Sequence, residues 1–461
     1  MVGNSSGSAL RVGGFIVAGG LLMGATGAYA ASGEELQFIL NTFSFLVWGV
    51  LIMWMCAGFT MLEAGSVRTK NASMICLKNI GLYSIAGITY YLVGYNLMYV
   101  DVQEGWIGTL KFLYGPSDNE LKLLSGEAAA AADVTKAGYA TMSDWFFQMV
   151  FVATTASIVS GTLAERVKLW AFLAFTVVLT IIIYPIVGAW TWGGGWLSAM
   201  GFKDFAGSTI VHSTGGWAAL AGALVVGARH GKFRADGSVK VTAPSNIPAV
   251  TLGVFILWLG WFGFNGGSQL ALSSAADAVA MSHVLVNTNL AAAAGVIAAL
   301  IVSRPILGRI DLLGVLNGAL GGLVSITAGP DIVDHHWSLV IGAIGGALCV
   351  GAMKLLEVVK LDDVVGAIPA HLFAGVWGTL AVCIAAGGNF GVQLIGVLAV
   401  GAFAFAASWL AWFVLDKTMG VRVSQIVEEL GQDTAELGIE AYPEFVLMPD
   451  QDDVDQIRNN S

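Results

Sequence analysis

Eleven apolar segments, each roughly 20 residues long, run through this 461-residue chain. A helix of about 20 residues crosses the ~30 Å hydrocarbon core of a bilayer, so every segment is long enough to span a membrane. Charged residues make up 11% of the chain, less than half the usual share, and its 60 glycines favour close packing between helices. We therefore predict an all-α polytopic membrane protein with eleven transmembrane helices. The segments lie at residues 38–62, 74–99, 145–164, 168–190, 206–228, 247–269, 279–303, 311–328, 337–358, 364–386 and 391–416.

The first 30 residues have the layout of a cleavable secretory signal. Arg11 precedes a short, glycine-rich apolar stretch, and Ala28 and Ala30 provide the small side chains of a cleavage site. The alternative is an additional spanning helix. We predict three parts, namely a signal peptide at 1–30, a transmembrane domain at 31–420 and a polar C-terminal tail at 421–461.

Lysine and arginine fall mainly on one side of the predicted bundle. If the mature N-terminus is outside, the outward loops carry only Lys111, Lys122, Lys136 and Lys203, whereas fifteen basic residues lie in the inward loops or at the adjoining segment ends. This bias follows the positive-inside rule. We therefore expect a bacterial inner-membrane protein with its C-terminus in the cytoplasm. The net charge of −10 offers no surface for nucleic acid.

A sequence pattern, Asp-x2-Gly-x4-His-x3-Gly, occurs twice. Its two copies are Asp204, Gly207, His212 and Gly216, and Asp363, Gly366, His371 and Gly375. Each copy opens the fifth apolar segment of its half, which predicts an inverted 5+5 repeat followed by an eleventh helix. His212 and His371 would then meet near the middle of the membrane, where an ionisable side chain marks a functional site. The alternative is a pair of core histidines bonded to neighbouring helices.

Several further stretches accompany this pattern in a fixed order. They are AGFTMLEAGSVRTKN, FQMVF with SGTLAERV, WGGGW with DFAGSTIVH, WFGFNGGS, NTNLAAAAG and HLFAGVWGTL. Over about residues 36–442 the chain resembles the Amt/Mep/Rh ammonium transporter family. It is more similar to the Amt branch, because Trp192 and Ser268 occupy the positions of the outer vestibule.

The resemblance implies an outer recruitment site, a stacked gate, a pore pair and a structural or electrostatic acid. Phe147, Trp192 and Ser268 correspond to the recruitment site, and Phe151 and Phe264 correspond to the gate. His212 and His371 correspond to the pore pair, and Asp204 corresponds to the acid. From its position alone, Asp204 is better placed to cap the fifth helix than to contact a ligand directly, and Trp192 also fits an interfacial belt. The resemblance further implies a homotrimer with one pore in each subunit, which carries ammonium or ammonia and accepts methylammonium.

These residue types suit a cation that can lose its charge. Several kcal/mol oppose the transfer of an intact ion into an apolar pore, and an aromatic face returns only about 2 kcal/mol. Ammonium, unlike potassium, can release a proton and continue as ammonia. Burial favours neutral imidazole at His212 and His371, so a pore lined by this pair would pass ammonia and stop potassium. The residues leave open whether the proton follows; the resemblance favours net proton transfer.

Two other classes of function compete with transport. The chain could be an ammonium sensor that a cytoplasmic partner reads, and a PII-type regulator could dock on the inward loops in either case. An enzyme is disfavoured, because no nucleophile–base arrangement accompanies the histidine pair. His335 and His336, opposite Asp331 and Asp334, could suggest a metal site, but adjacent histidines in a polar loop are usually solvated. We predict no catalytic residue, no metal and no cofactor.

Overall fold

The computed structural model describes residues 32–102 and 104–443, and the elements in those ranges are helices. The predicted signal peptide at residues 1–30 lies outside the described residues, as does the acidic end of the predicted tail. The boundary between signal peptide and transmembrane domain therefore stays a prediction.

The apolar helices coincide with the predicted segments. They are α1 (Gly33–Ser66), α2 (Thr69–Tyr99), α3 (Thr141–Thr162), α4 (Leu169–Ala199), α5 (Ser208–Val226), α6 (Ile247–Gly267), α7 (Ala275–Leu307), α8 (Leu312–Ile326), α9 (His335–Val358), α10 (Ile368–Ala386) and α11 (Phe390–Met419). Within the described residues, ten of them are long and apolar enough to cross a membrane. The exception is α8, whose 15 residues extend about 22 Å. The chain is a multi-pass helical membrane protein, and the count of eleven spans remains a prediction.

Helices α1 and α6, which correspond in the two halves, pack antiparallel through glycines. A Cβ atom on Gly65 would lie 2.8 Å from the backbone nitrogen of Val250, and one on Gly263 would lie 2.9 Å from the carbonyl oxygen of Trp48. Residue numbers therefore rise along α1 as they fall along α6, as an inverted repeat requires. The missing side chains let the two backbones approach closely, which is the use predicted for glycine in these helices.

Residues 421–443 fold back onto one end of the bundle, which we call the C-terminal face. The carboxylate of Asp433 accepts hydrogen bonds from the free backbone amides of Ser73 and Met74, at 2.8 and 2.7 Å, near the start of α2. The side-chain amide of Gln432 donates to the carbonyl oxygen of Val167 at 2.9 Å. This part of the tail is therefore bonded to the start of α2 and to the loop between α3 and α4.

A buried ion network holds the loops of the C-terminal face together. Arg229, after α5, binds Asp362 through two nitrogens at 2.8 and 2.9 Å and lies 3.2 Å from Glu165. Arg68, after α1, binds Glu165 at 2.6 Å. Burial opposes ionisation of both carboxyls, but the adjacent arginines outweigh it and hold the pKa of Asp362 and that of Glu165 below their usual ranges. The network thus connects the loops that follow α1, α3, α5 and α9.

Candidate functional site

The two histidines of the repeated pattern meet inside the bundle. Their Nδ1 atoms lie 3.2 Å apart, their ring planes are inclined by 27°, and both side chains are buried. A neutral imidazole has one N–H, so one Nδ1 donates to the other. The histidine whose Nδ1 donates then has a bare Nε2, and its partner has a protonated Nε2. The pair therefore offers one acceptor and one donor to a small molecule, and Nε2 of His212 has no partner among the described residues.

Each histidine lies on a single π-helical turn at the start of its helix. These turns span Ser208–Ser213 in α5 and Ile368–Phe373 in α10. The glycine of each copy precedes its turn with a positive φ, +108° at Gly207 and +78° at Gly366, a conformation that other residues rarely adopt. Because both copies share this local structure, each helix enters the bundle in the same way and places its histidine on the inner turn.

The second glycine of each copy lies where α5 and α10 cross. A Cβ atom on Gly216 would be 2.7 Å from the backbone nitrogen of Leu372, and one on Gly375 would collide with the carbonyl oxygen of Ser208. These contacts show that α5 and α10 are antiparallel. Backbone approach at the crossing is what brings His212 within reach of His371.

The aspartate of each copy caps its helix. Oδ1 of Asp204 accepts from the amides of Gly207 and Ser208, and Oδ2 accepts from those of Thr209 and Ile210, all between 2.8 and 3.1 Å. Burial raises the pKa of Asp204 to about 6, and the four amides oppose that rise. Asp363 accepts from the backbone amides of Gly366 and Ile368, at 3.1 and 2.8 Å. The carboxylate of Asp204 therefore satisfies the free backbone amides at the start of α5.

Aromatic rings cover one side of the histidine pair. The buried rings of Phe151 and Phe264 have their centroids 4.2 Å apart, and Phe264 lies 5.2 Å from His212. Trp261 stacks on His212 at 4.9 Å with an interplanar angle of 19°. Trp261 was missed in the sequence, although it stands three residues before Phe264 and hence on the same face of α6.

Beyond Phe151 a pocket of about 410 Å³ opens at the end of the bundle opposite the C-terminal face. We call it the aromatic pocket, and its lining is Tyr95, Tyr99, Tyr139, Asp144, Phe147, Gln148, Phe151, Trp192, Phe205, Ser268 and Leu270. Phe147, Trp192 and Ser268, the three residues expected to recruit the cation, thus share one pocket. Ser268 donates its hydroxyl hydrogen to the carbonyl oxygen of Phe264 at 2.8 Å, which leaves its lone pairs free to accept.

Asp204 does not line this pocket but supports it. Its carbonyl oxygen accepts the indole N–H of Trp192 at 2.9 Å, so the residue that caps α5 also orients the tryptophan. Asp144 and its tyrosine neighbours were missed in the sequence. The available signal was spacing, since Asp144, Phe147, Gln148 and Phe151 stand at i, i+3, i+4 and i+7 and form one stripe of α3.

A second cavity, of about 170 Å³, opens on the C-terminal face. Its lining includes Leu62, Val250, Asn317 and Pro369, and Pro369 belongs to the π-helical turn that carries His371. The histidine pair therefore lies between the aromatic pocket and this cavity. His335 lies outside both cavities, at the start of α9.

The polar loop suggested as a weaker metal candidate has another arrangement. Nδ1 of His335 lies 2.7 Å from the side-chain oxygen of Asn287, and the ring centroids of His283 and His335 are 4.8 Å apart. Within residues 32–102 and 104–443, no group of three or more His, Cys, Asp or Glu side chains is arranged to hold a metal ion.

Two buried histidines between an aromatic pocket and an opposing cavity, inside a multi-pass helix bundle, are the arrangement of a membrane transport protein. The chain belongs to the Ammonium Transporter Family, whose model matches residues 43–442. It is 40% identical to the ammonium transporter Amt2 of Archaeoglobus fulgidus over 432 residues, which cover 87% of this chain and 88% of that protein. Members of this family are transporters rather than enzymes.

Solved structures extend the similarity to the fold. A sensor Amt protein matches with a TM-score of 0.79 and 36% identity, over 87% of this chain and 99% of its own. Mep2 of Candida albicans matches with a TM-score of 0.72 and 26% identity, over 86% of this chain and 90% of its own. The family and the helical fold predicted from the sequence are thereby confirmed.

Proposed function

We propose that this ammonium transporter captures ammonium in the aromatic pocket, removes a proton and passes ammonia along the histidine pair. The observation that carries the proposal is the contact between His212 and His371, 3.2 Å apart and placed between two cavities. An apolar pore with neutral imidazoles offers hydrogen bonds to ammonia but no charge to replace the water around a metal cation.

Capture would occur while the substrate is still charged. The faces of Phe147 and Trp192 attract a cation that is losing water, with about 2 kcal/mol for each desolvated contact. The Ser268 hydroxyl accepts an N–H from the same ion. Phe151 and Phe264 then block the path from the aromatic pocket to the histidine pair, because two rings with centroids 4.2 Å apart leave no room for a hydrated ion.

Passage would follow the donor and acceptor of the histidine pair. Ammonia accepts from the protonated Nε2 and donates to the bare one, and the Nδ1 contact lets a proton move between the rings. We propose that the proton follows by this route, so that net charge crosses the membrane with each ammonia. Potassium has no proton to release and would stop at the phenylalanines.

We also propose the orientation of this pore in the membrane and the assembly of the protein. We place the aromatic pocket outside and the C-terminal face in the cytoplasm of a bacterial inner membrane, because the basic loop residues collect on the C-terminal face. Cleavage after Ala30 would leave the mature N-terminus outside. We further propose a homotrimer with one pore in each subunit, methylammonium as a second substrate, and a PII-type regulator docking on the C-terminal face.

A sensor is the second candidate, favoured by the similarity to a sensor Amt protein. In that case ammonium would fill the aromatic pocket and change how residues 421–443 rest on the loops, without passage. Uptake of methylammonium by proteoliposomes separates the two functions, since a sensor would bind ammonium and show no uptake.

Substitution of the pair tests the proposal. His212→Leu with His371→Leu should abolish methylammonium uptake, because the leucines remove every hydrogen-bonding group of the pair. His336→Leu, at an exposed position at the start of α9, is the matched control and should transport as the wild type does. Unchanged uptake together with unchanged potassium exclusion in the double variant would show that the pair has no role.

A further inference from the structure

Asp144 is a buried carboxylate without a cationic partner. Its side chain lies near the start of α3, where the residue is 8% exposed, and it lines the aromatic pocket. The Tyr95 hydroxyl donates to Oδ2, and the side-chain nitrogen of Gln148 approaches Oδ1 only to 3.4 Å. Among the described residues, no Lys, Arg or His forms an ion pair with it.

Other buried acids of the chain are compensated differently. Asp204 holds four backbone amides, and Asp362 holds the guanidinium of Arg229. A buried charge is costly unless it is paired or fully hydrogen-bonded. One hydroxyl donor and one long amide contact leave about half of the lone pairs of the Asp144 carboxylate unused. The carboxylate of Asp144 therefore lacks a positively charged partner that would offset the cost of its burial.

The surroundings of Asp144 carry further unused acceptors. The side-chain oxygen of Gln148 and the hydroxyl of Tyr99 are buried without a partner among the described residues, and both residues line the same pocket. Together with the carboxylate of Asp144 and the hydroxyl of Ser268, they give the pocket four groups able to accept a hydrogen bond. An ammonium ion has four N–H donors and one positive charge, which is what this set lacks.

Tyrosine rings close the pocket around the carboxylate. The centroid of Tyr95 lies 5.1 Å from that of Tyr99 and 4.0 Å from that of Tyr114. Aromatic faces around an anion favour ammonium or an alkylammonium ion over a strongly hydrated metal ion, because the rings cannot replace the lost water ligands. The stripe of α3 then continues from Asp144 past Phe147 to Phe151, at the entrance to the histidine pair.

We propose that Asp144 is the anionic group of the aromatic pocket and that it binds ammonium and small primary alkylammonium ions in their charged form. This inference rests on the proposed function, and it adds a charged specificity-determining residue to the aromatic capture site. It makes the pocket a receptor for the charged form of the substrate, which discriminates against uncharged amines.

Titration calorimetry on the purified full-length protein tests the inference with ammonium chloride, methylammonium chloride and potassium chloride as probes. Asp144→Asn keeps the shape and an acceptor for Tyr95 but removes the charge, and should weaken ammonium binding about 10-fold or more. Asp118→Asn removes one charge from an exposed position of the loop before α3 and should bind as the wild type does. Ammonium binding by Asp144→Asn within twofold of the wild type would overturn the inference.

A second variant keeps the inference testable if Asp144→Asn does not fold. Tyr95→Phe leaves the carboxylate charged and removes its hydroxyl donor, so ammonium should bind at least as tightly as in the wild type. A tenfold loss of affinity in this variant would contradict a direct role of the charge. Uptake by wild-type proteoliposomes from the same preparation tests the proposed transport separately, because binding to Asp144 does not require passage.

Discussion

Asp204→Asn should destabilise the entry of α5 by a predictable amount. An asparagine keeps one side-chain oxygen, which can serve only one of the two amide pairs that the carboxylate holds. Its NH₂ group would face the other pair, donor against donor. Each buried amide left without an acceptor costs about 1–3 kcal/mol, so the loss amounts to about 2–6 kcal/mol.

The second copy of the pattern provides the matched control. Each oxygen of Asp363 accepts one amide, from Gly366 or from Ile368. Asp363→Asn therefore leaves one amide without an acceptor and should cost about 1–3 kcal/mol, half the loss at Asp204. Thermal unfolding in detergent, followed by tryptophan fluorescence, measures both variants against the wild type.

The order of the two melting temperatures shows which aspartate stabilises its helix more strongly. Asp204→Asn should melt below Asp363→Asn, and both should melt below the wild type. Methylammonium uptake should also fall further in Asp204→Asn, since the same residue orients Trp192 through its carbonyl oxygen. Equal melting of the two variants, or an Asp204→Asn protein as stable as the wild type, would refute the account of the caps.

Three further outcomes are expected. Trp192→Leu with Ser268→Ala should raise the half-saturating concentration for methylammonium uptake more than it lowers the saturated rate, because both residues act on the charged species; a fall in the saturated rate alone would place them in the gate. The contribution of Asp362 to thermal stability, measured as the difference in melting temperature between the wild type and Asp362→Asn, should be constant from pH 8 to 5 and shrink below about pH 4, since the folded-state pKa of Asp362 lies below the ~3.9 of an unfolded aspartate and its ionised form is the stabilising one; a difference that grows on acidification would contradict this. Gly216→Val should abolish uptake by colliding with the backbone of α10, whereas Gly351→Val, with no atom within 4 Å of an added Cβ, should be tolerated; equal uptake by both would contradict the crossing.

The helices and the histidine contact were within reach of the sequence. Residues 206–228 were predicted for α5, which spans Ser208–Val226, because apolar runs of this length end where polar loops begin. The repeated pattern supplied the rest. Two histidines at the same position of an inverted repeat approach the middle of the membrane from opposite sides, so their contact followed from symmetry.

Features that depend on distant segments were out of reach. The stacking of Trp261 on His212 and the pairing of Arg229 with Asp362 both join side chains that are far apart in sequence. Asp144 was hidden for a different reason. An acid in the first turn of a helix is ordinary, since it complements the helix dipole, and only the fold shows that this one is buried in the pocket.

Current across a planar bilayer that contains the purified protein tests the central claim most directly. The protein is exposed to ammonium chloride and then, after washing, to potassium chloride at the same concentration and voltage. We predict a current with ammonium, none with potassium, and neither in the protein that carries His212→Leu and His371→Leu. A potassium current as large as that with ammonium, or an ammonium current that survives the loss of both histidines, would contradict passage of ammonia and its proton along the histidine pair.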